Sequence, residues 1–144
     1  MSQRTRFSAT GSTGEAAVEG LLRGMAAGIA MLGFLLVAGL ILGEPERQAI
    51  LAAGAELAAS PLAGMFTHLA VASFYGLLWG PAWRWISQIS ALPAWMAGMA
   101  YGIVLFVLAE SLAQALPLPM QQMDSGVMLA AHTCYGFVLG TLSQ

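Results

Sequence analysis

The chain has 144 residues, a mean hydropathy of +0.76 and only 8% charged residues, against about 25% in a soluble domain. This composition points to a membrane protein before any segment is examined. The net charge is −2, all five basic residues are arginines and there is one cysteine, Cys134. No basic patch is available for nucleic acid, and neither an internal disulfide nor a cysteine-based zinc site can form.

Residues 1–14 are polar and carry Arg4 and Arg6. They read as a disordered tail, and residues 15–144 as a single transmembrane domain. Ser12-Thr13-Gly14-Glu15 has the spacing of a capping box, so a helix is expected to begin here. Its membrane portion is about 21–42, long enough for the roughly 20 residues a span needs. The apolar run exceeds the 7–15 residues of a signal-peptide core, so an uncleaved span is expected. Glu19 and Arg23, one turn apart, can pair at the interface. Residues 45–59, opened by Pro45, read as an alanine-rich helix on the membrane surface. Further spans follow at about 62–80, 94–115 and 125–142, with a loop at 81–93. All six prolines fall at these proposed boundaries, as expected of helices that must satisfy every backbone group in lipid. The fold class is therefore all-α: a four-helix transmembrane bundle of two helical hairpins.

With four spans, both termini and the 81–93 loop share one side, which holds Arg4, Arg6, Arg23 and Arg84. The other side has Arg47 beside Glu44, Glu46, Glu56 and Asp124. The positive-inside rule then places both termini in the cytoplasm of a bacterial-type inner membrane. Trp79, Trp83, Trp85 and Trp95 crowd the same boundary with Arg84 and read as interface anchors.

Every span carries glycines four apart: Gly20, Gly24 and Gly28; Gly76 and Gly80; Gly98 and Gly102; Gly136 and Gly140. Small residues at this spacing form a flat strip that lets helix backbones approach closely. Four such strips point to tight packing, and to a homo-oligomer or larger membrane complex embedded in the lipid bilayer. The second and fourth spans also share a rhyme: a histidine (His68, His132), then Tyr75-Gly76 or Tyr135-Gly136, then Gly80 or Gly140. The histidine precedes the tyrosine by seven residues in one case and three in the other, so a duplication is not established by the pattern.

His68, Glu110 and His132 are the ionisable groups inside the spans, and such groups usually face the bundle interior. At 1.5 Å per residue, His68 and His132 lie roughly 9 and 10 Å from the outer starts of their spans, and Glu110 roughly 8 Å from the outer end of its own. All three fall at one depth in the outer leaflet and can form one site. The plainest reading is a hydrogen-bond cluster in which Glu110 accepts from the imidazoles, with Tyr101, Ser73 or Thr133 as partners. Three sharper readings compete with it. His68 and His132 can ligate haem b from two helices. Imidazole with the thioethers of Met65, Met120, Met123 and Met128 suits copper as Cu(I), although methionine is also used as filler in this chain. The trio can instead bind a small ligand or respond to pH. A complete proton path is opposed by the scarcity of polar groups toward the cytoplasm. A transporter protomer is opposed by the absence of any broken helix. No nucleophile elbow, HExxH, P-loop or dinucleotide fingerprint is present, so the expected role is non-enzymatic, with no cofactor as the simplest expectation.

His68 with Tyr75-Gly76, the segment from Gly98 to Glu110, and His132 with Tyr135-Gly136 and Gly140 together resemble the YagU-like group of small bacterial inner-membrane proteins. The likeness covers about residues 20–142. It implies a four-helix inner-membrane protein, linked to acid tolerance, with no assigned catalytic residues.

Overall fold

A computed structural model describes residues 12–43, 60–115 and 123–144. Four helices account for most of them: α1 (Thr13–Leu42), α2 (Pro61–Ile89), α3 (Ala94–Ala115) and α4 (Ser125–Thr141). There is no strand among the described residues. The surface helix expected at 45–59 lies outside them, as do Pro45, Pro117, Pro119 and Met120.

Local chemistry sets the helix starts. Ser12 caps α1: its hydroxyl accepts from the Glu15 N–H, and the Glu15 carboxylate accepts from the Ser12 N–H. Glu19 and Arg23 pair one turn later at 2.9 Å. Ser60 caps α2, with Pro61 at the first helical position, where a missing N–H costs nothing. Asp124 caps α4 by accepting from Gly126 and Val127 N–H.

α2 departs from expectation at its other end. Its helix does not stop at Gly80 but continues through Pro81 for two further turns, to Ile89. Proline removes one N–H and crowds the preceding residue. Here the preceding residue is Gly80, which has no Cβ to meet the ring, and lipid-embedded helices tolerate proline when neighbours hold the chain. The neighbour is the C-terminus: Trp83 Nε1 donates to the Ser143 carbonyl at 3.1 Å.

α1, α2 and α3 are long and apolar enough to cross a membrane. α4 is shorter, with 17 residues, or about 26 Å of helix. Leu36, Leu40, Ile41, Phe66 and Val104 are among the large apolar side chains left more than half exposed, which suits a lipid solvent rather than water.

The helices meet as antiparallel pairs. α1 packs along α2, α3 along α4, and α1 also touches α4. Glycine marks the closest approach in each pair. A methyl group on Gly24 would come within 2.6 Å of the Ala72 carbonyl oxygen and 2.7 Å of Gly76 Cα, and one on Gly98 within 2.8 Å of Gly140 Cα. The two pairs use one ladder. Ala16 faces Gly80, Gly20 faces Gly76 and Gly24 faces Ala72; correspondingly Ala94 faces Gly140, Gly98 faces Gly136 and Gly102 faces His132. Tyr75 and Tyr135 precede the matched glycines. Their histidines do not match: His132 stands where the first pair has Ala72, and His68 sits one turn farther out, at the place of Met128. This accounts for the unequal spacing of the rhyme.

Hydrogen bonds from aromatic side chains join the two pairs. Tyr135 Oη donates to the Ala72 carbonyl at 2.7 Å, and Tyr101 Oη to the Tyr75 carbonyl at 2.9 Å. Trp79 Nε1 donates to Ser143 Oγ at 3.0 Å. Tyr135 is buried, so Tyr135→Phe removes one interhelical bond without opening a large cavity. It should cost about 1 kcal/mol, read as a lowered melting temperature in detergent; an unchanged melt would count the bond as inert.

Candidate functional site

Two ends of the molecule need to be distinguished. At the far end, α1 and α3 finish and α2 and α4 begin. At the other end lie the start of α1 and the C-terminus. His68, Glu110 and His132 all belong to the far half, reached from α2, α3 and α4 respectively.

Both histidines are half-buried, and each spends one ring nitrogen on a backbone carbonyl. His68 Nε2 lies 3.3 Å from the Gly28 carbonyl oxygen of α1. His132 Nδ1 lies 2.8 Å from the Met128 carbonyl oxygen, one turn back on α4. A carbonyl only accepts, so the nitrogen facing it carries the proton. His68 is then the Nε2–H tautomer with a lone pair on Nδ1, and His132 the Nδ1–H tautomer with a lone pair on Nε2. The rings belong to different helix pairs yet are close enough to interact electrostatically, as are His132 and Glu110. Phe106 packs its edge against the His132 ring, with centroids 6.1 Å apart.

Glu110 does not accept from either imidazole. Its Oε1 accepts from Ser125 Oγ, at 3.2 Å, across the α3–α4 junction. The expected partners are also engaged elsewhere. Ser73 Oγ donates to the Leu69 carbonyl and Thr133 Oγ1 to the Leu129 carbonyl, each within its own helix. Tyr101 is turned to α2, where its ring lies 5.1 Å from that of Trp79. The cluster is thus narrower than its sequence outline: two tautomer-fixed imidazoles with a carboxylate in electrostatic range. Among the described residues, no three His, Cys, Asp or Glu side chains gather as one metal-holding group. The open furrow between α1 and α4, lined by Phe34, Val37, Ile41 and Val127 among others, contains neither histidine.

The tryptophans divide. Trp85 and Trp95 are exposed, as anchors require. Trp79 is buried in the protein: it is 1% exposed, stacked on Trp83 at 5.6 Å and bonded to Ser143. The four-residue spacing of Trp79 and Trp83, which puts both rings on one helix face, was the available signal. Of the methionines named from sequence, Met123 and Met128 are buried, at 9% and 4%, and Met120 lies outside the described residues. Met65 is 40% exposed, whereas Met31 and Met128 are buried in one core cluster with Leu105 and Ala131.

Fold and site together describe an all-α protein with three helices able to cross a membrane and two half-buried histidines on neighbouring helix pairs. No protein-family model matches the chain, and neither a curated protein nor a solved structure matches it.

Proposed function

We propose that this is a four-span protein of a bacterial-type inner membrane with both termini in the cytoplasm, acting without catalysis as a small membrane protein or accessory subunit. Its functional centre is the outer-leaflet cluster of His68, Glu110 and His132, which binds a small ligand or responds to pH. One observation carries this reading. Two imidazoles from different helix pairs each hold one nitrogen on a carbonyl and keep the other as a lone pair. Those two lone pairs are what a proton or a small ligand can take. α4 completes the bundle as a fourth span, its 17 residues lengthened at the interface by the Asp124 cap and the Ser143 turn. The YagU-like resemblance adds inner-membrane residence and a link to acid tolerance to the same proposal.

Nitrogen-15 spectra of imidazole-labelled protein in detergent test the reading. The expected result is a proton on Nε2 of His68 and on Nδ1 of His132 near neutral pH. Both rings should change on titration across about pH 5 to 8, the range over which histidine switches. Glu110→Gln should alter the His132 response more than that of His68. Rings that stay silent across this range in a folded protein would sink the proposal.

A further inference from the structure

The two helix pairs repeat one packing unit but are not covered alike. The ladder matches Gly20 with Gly98 and Gly24 with Gly102, so Ala27, Ala30 and Phe34 of α1 stand where α3 has Leu105, Leu108 and Leu112. It matches Gly76 with Gly136, so Val71, Tyr75 and Leu78 of α2 stand where α4 has Ala131, Tyr135 and Val138. α1 packs against α4, and α2 makes no comparable contact with α3. Side-chain size accounts for the difference. Ala27 and Ala131 are both fully buried, and their small size lets α1 and α4 close. Leu105 and Val71 are larger at the matched places, and the Trp79 and Tyr101 rings, 5.1 Å apart, stand between α2 and α3.

One matched wall is therefore packed and the other open. Val71 is 45% exposed where Ala131 is 0%, and Leu108 and Leu112 are 47% and 44% exposed where Ala30 and Phe34 are half-buried. Tyr135 donates to the Ala72 carbonyl of the other pair, whereas the Tyr75 hydroxyl makes no hydrogen bond among the described residues, in a solvent that supplies none. The glycine strips of all four helices are spent within the chain, so an assembly must use another face. The two open faces are counterparts of two that fit: α3 repeats α1, and α2 repeats α4. We infer that a second copy of this chain covers the open wall, α3 of one copy packing on α2 of the other as α1 packs on α4. Each copy offers both faces side by side. A two-fold axis along the membrane normal uses all four, and the assembly closes as a dimer. The inference draws on helix packing alone and is independent of the histidine cluster.

Phe34 and Ala130 both line the furrow between α1 and α4. Their counterparts are Leu112 on α3 and Ala70 on α2, which should face each other across the two copies. The test co-expresses two differently tagged full-length chains, both with Cys134→Ala, one carrying Ala70→Cys and the other Leu112→Cys. Membranes are treated with a short bis-maleimide before extraction. A covalent dimer carrying both tags should be the main cross-linked product. Ile29→Cys in place of Ala70→Cys should give several-fold less: it is exposed at a similar depth, since Gly28 faces Ala72, but lies on α1. Adding Val71→Ala and Leu108→Ala trims side chains that are exposed in a single copy. These changes should lower the yield several-fold and leave helicity unchanged.

Folded chains that give no doubly tagged product overturn the inference and leave the wall to lipid or to the chain's own residues 44–59. So does Ile29→Cys cross-linking as well as Ala70→Cys, which would mean chance encounters, and so does a yield that the paired alanines leave unchanged. None of these outcomes bears on the pH response of the imidazoles, so the proposed function stands or falls separately.

Discussion

Gly76→Val should collapse the α1–α2 pair, with a loss of about 3 kcal/mol, the upper part of the range for overpacking. The reason is what the new side chain would meet. A Cβ at position 76 points at the Gly20 carbonyl oxygen and lies 2.5 Å from Gly24 Cα and 2.8 Å from Gly24 N. All three are backbone atoms that no rotamer change can move. Valine is as acceptable to lipid as glycine, so a loss of stability would report packing rather than insertion. Gly136→Val should behave alike, because Gly98 and Gly102 oppose it in the corresponding way. Gly33→Ala is the control: nothing lies within 4 Å of a Cβ there, and its melt should stay within about 1 kcal/mol of wild type, in the direction of greater stability, since alanine is the better helix former. Thermal melts in detergent, read by circular dichroism, would decide. Equal melting of Gly76→Val and Gly33→Ala would mean that the glycine ladder contributes nothing to the fold.

The glycine strips were legible in the sequence because four-residue spacing is a property of one helix. Their register was not, since Gly20 meeting Gly76 is a property of two helices. Prolines marked the starts of α2 and α3 but misled at position 81, where Gly80 removes the steric conflict and Trp83 ties the extra turns to Ser143. The shared depth of His68, Glu110 and His132 followed from helical rise. Their hydrogen bonds did not, because the partner of His68 is a carbonyl forty residues away and carries no side-chain signature. Tryptophan at a span boundary reads as an anchor on composition alone, and only the ring of Tyr101, brought in by α3, turns Trp79 into core.

Trp79→Ala should be the costliest truncation of an aromatic side chain in the molecule, about 3–5 kcal/mol. The indole is almost fully buried, packs on Trp83 and Tyr101, and donates to Ser143. Trp85→Ala, at a ring 64% exposed, should change the melt by less than about 1 kcal/mol, as surface substitutions usually do. A cycle of Trp79→Phe and Ser143→Ala isolates the N–H···O bond and should return a coupling of about 0.6–2 kcal/mol. If Trp79→Ala melted like Trp85→Ala, the Trp79 ring and its bond to Ser143 would contribute no more than a surface tryptophan, and Trp83 alone would hold the C-terminal turn to α2. The position of the bond gives the experiment a second reading. Trp79 and Ser143 tie α2 to the end of α4, and these are the helices that carry His68 and His132. Loosening that tie at one end should let the two imidazoles shift relative to each other at the far end. The nitrogen-15 signals of both rings should then broaden or move in Trp79→Phe, although the substitution touches neither histidine. Unchanged signals would mean that each histidine is positioned by its own carbonyl alone, Gly28 for one and Met128 for the other, and that the two helix pairs hold their sites independently.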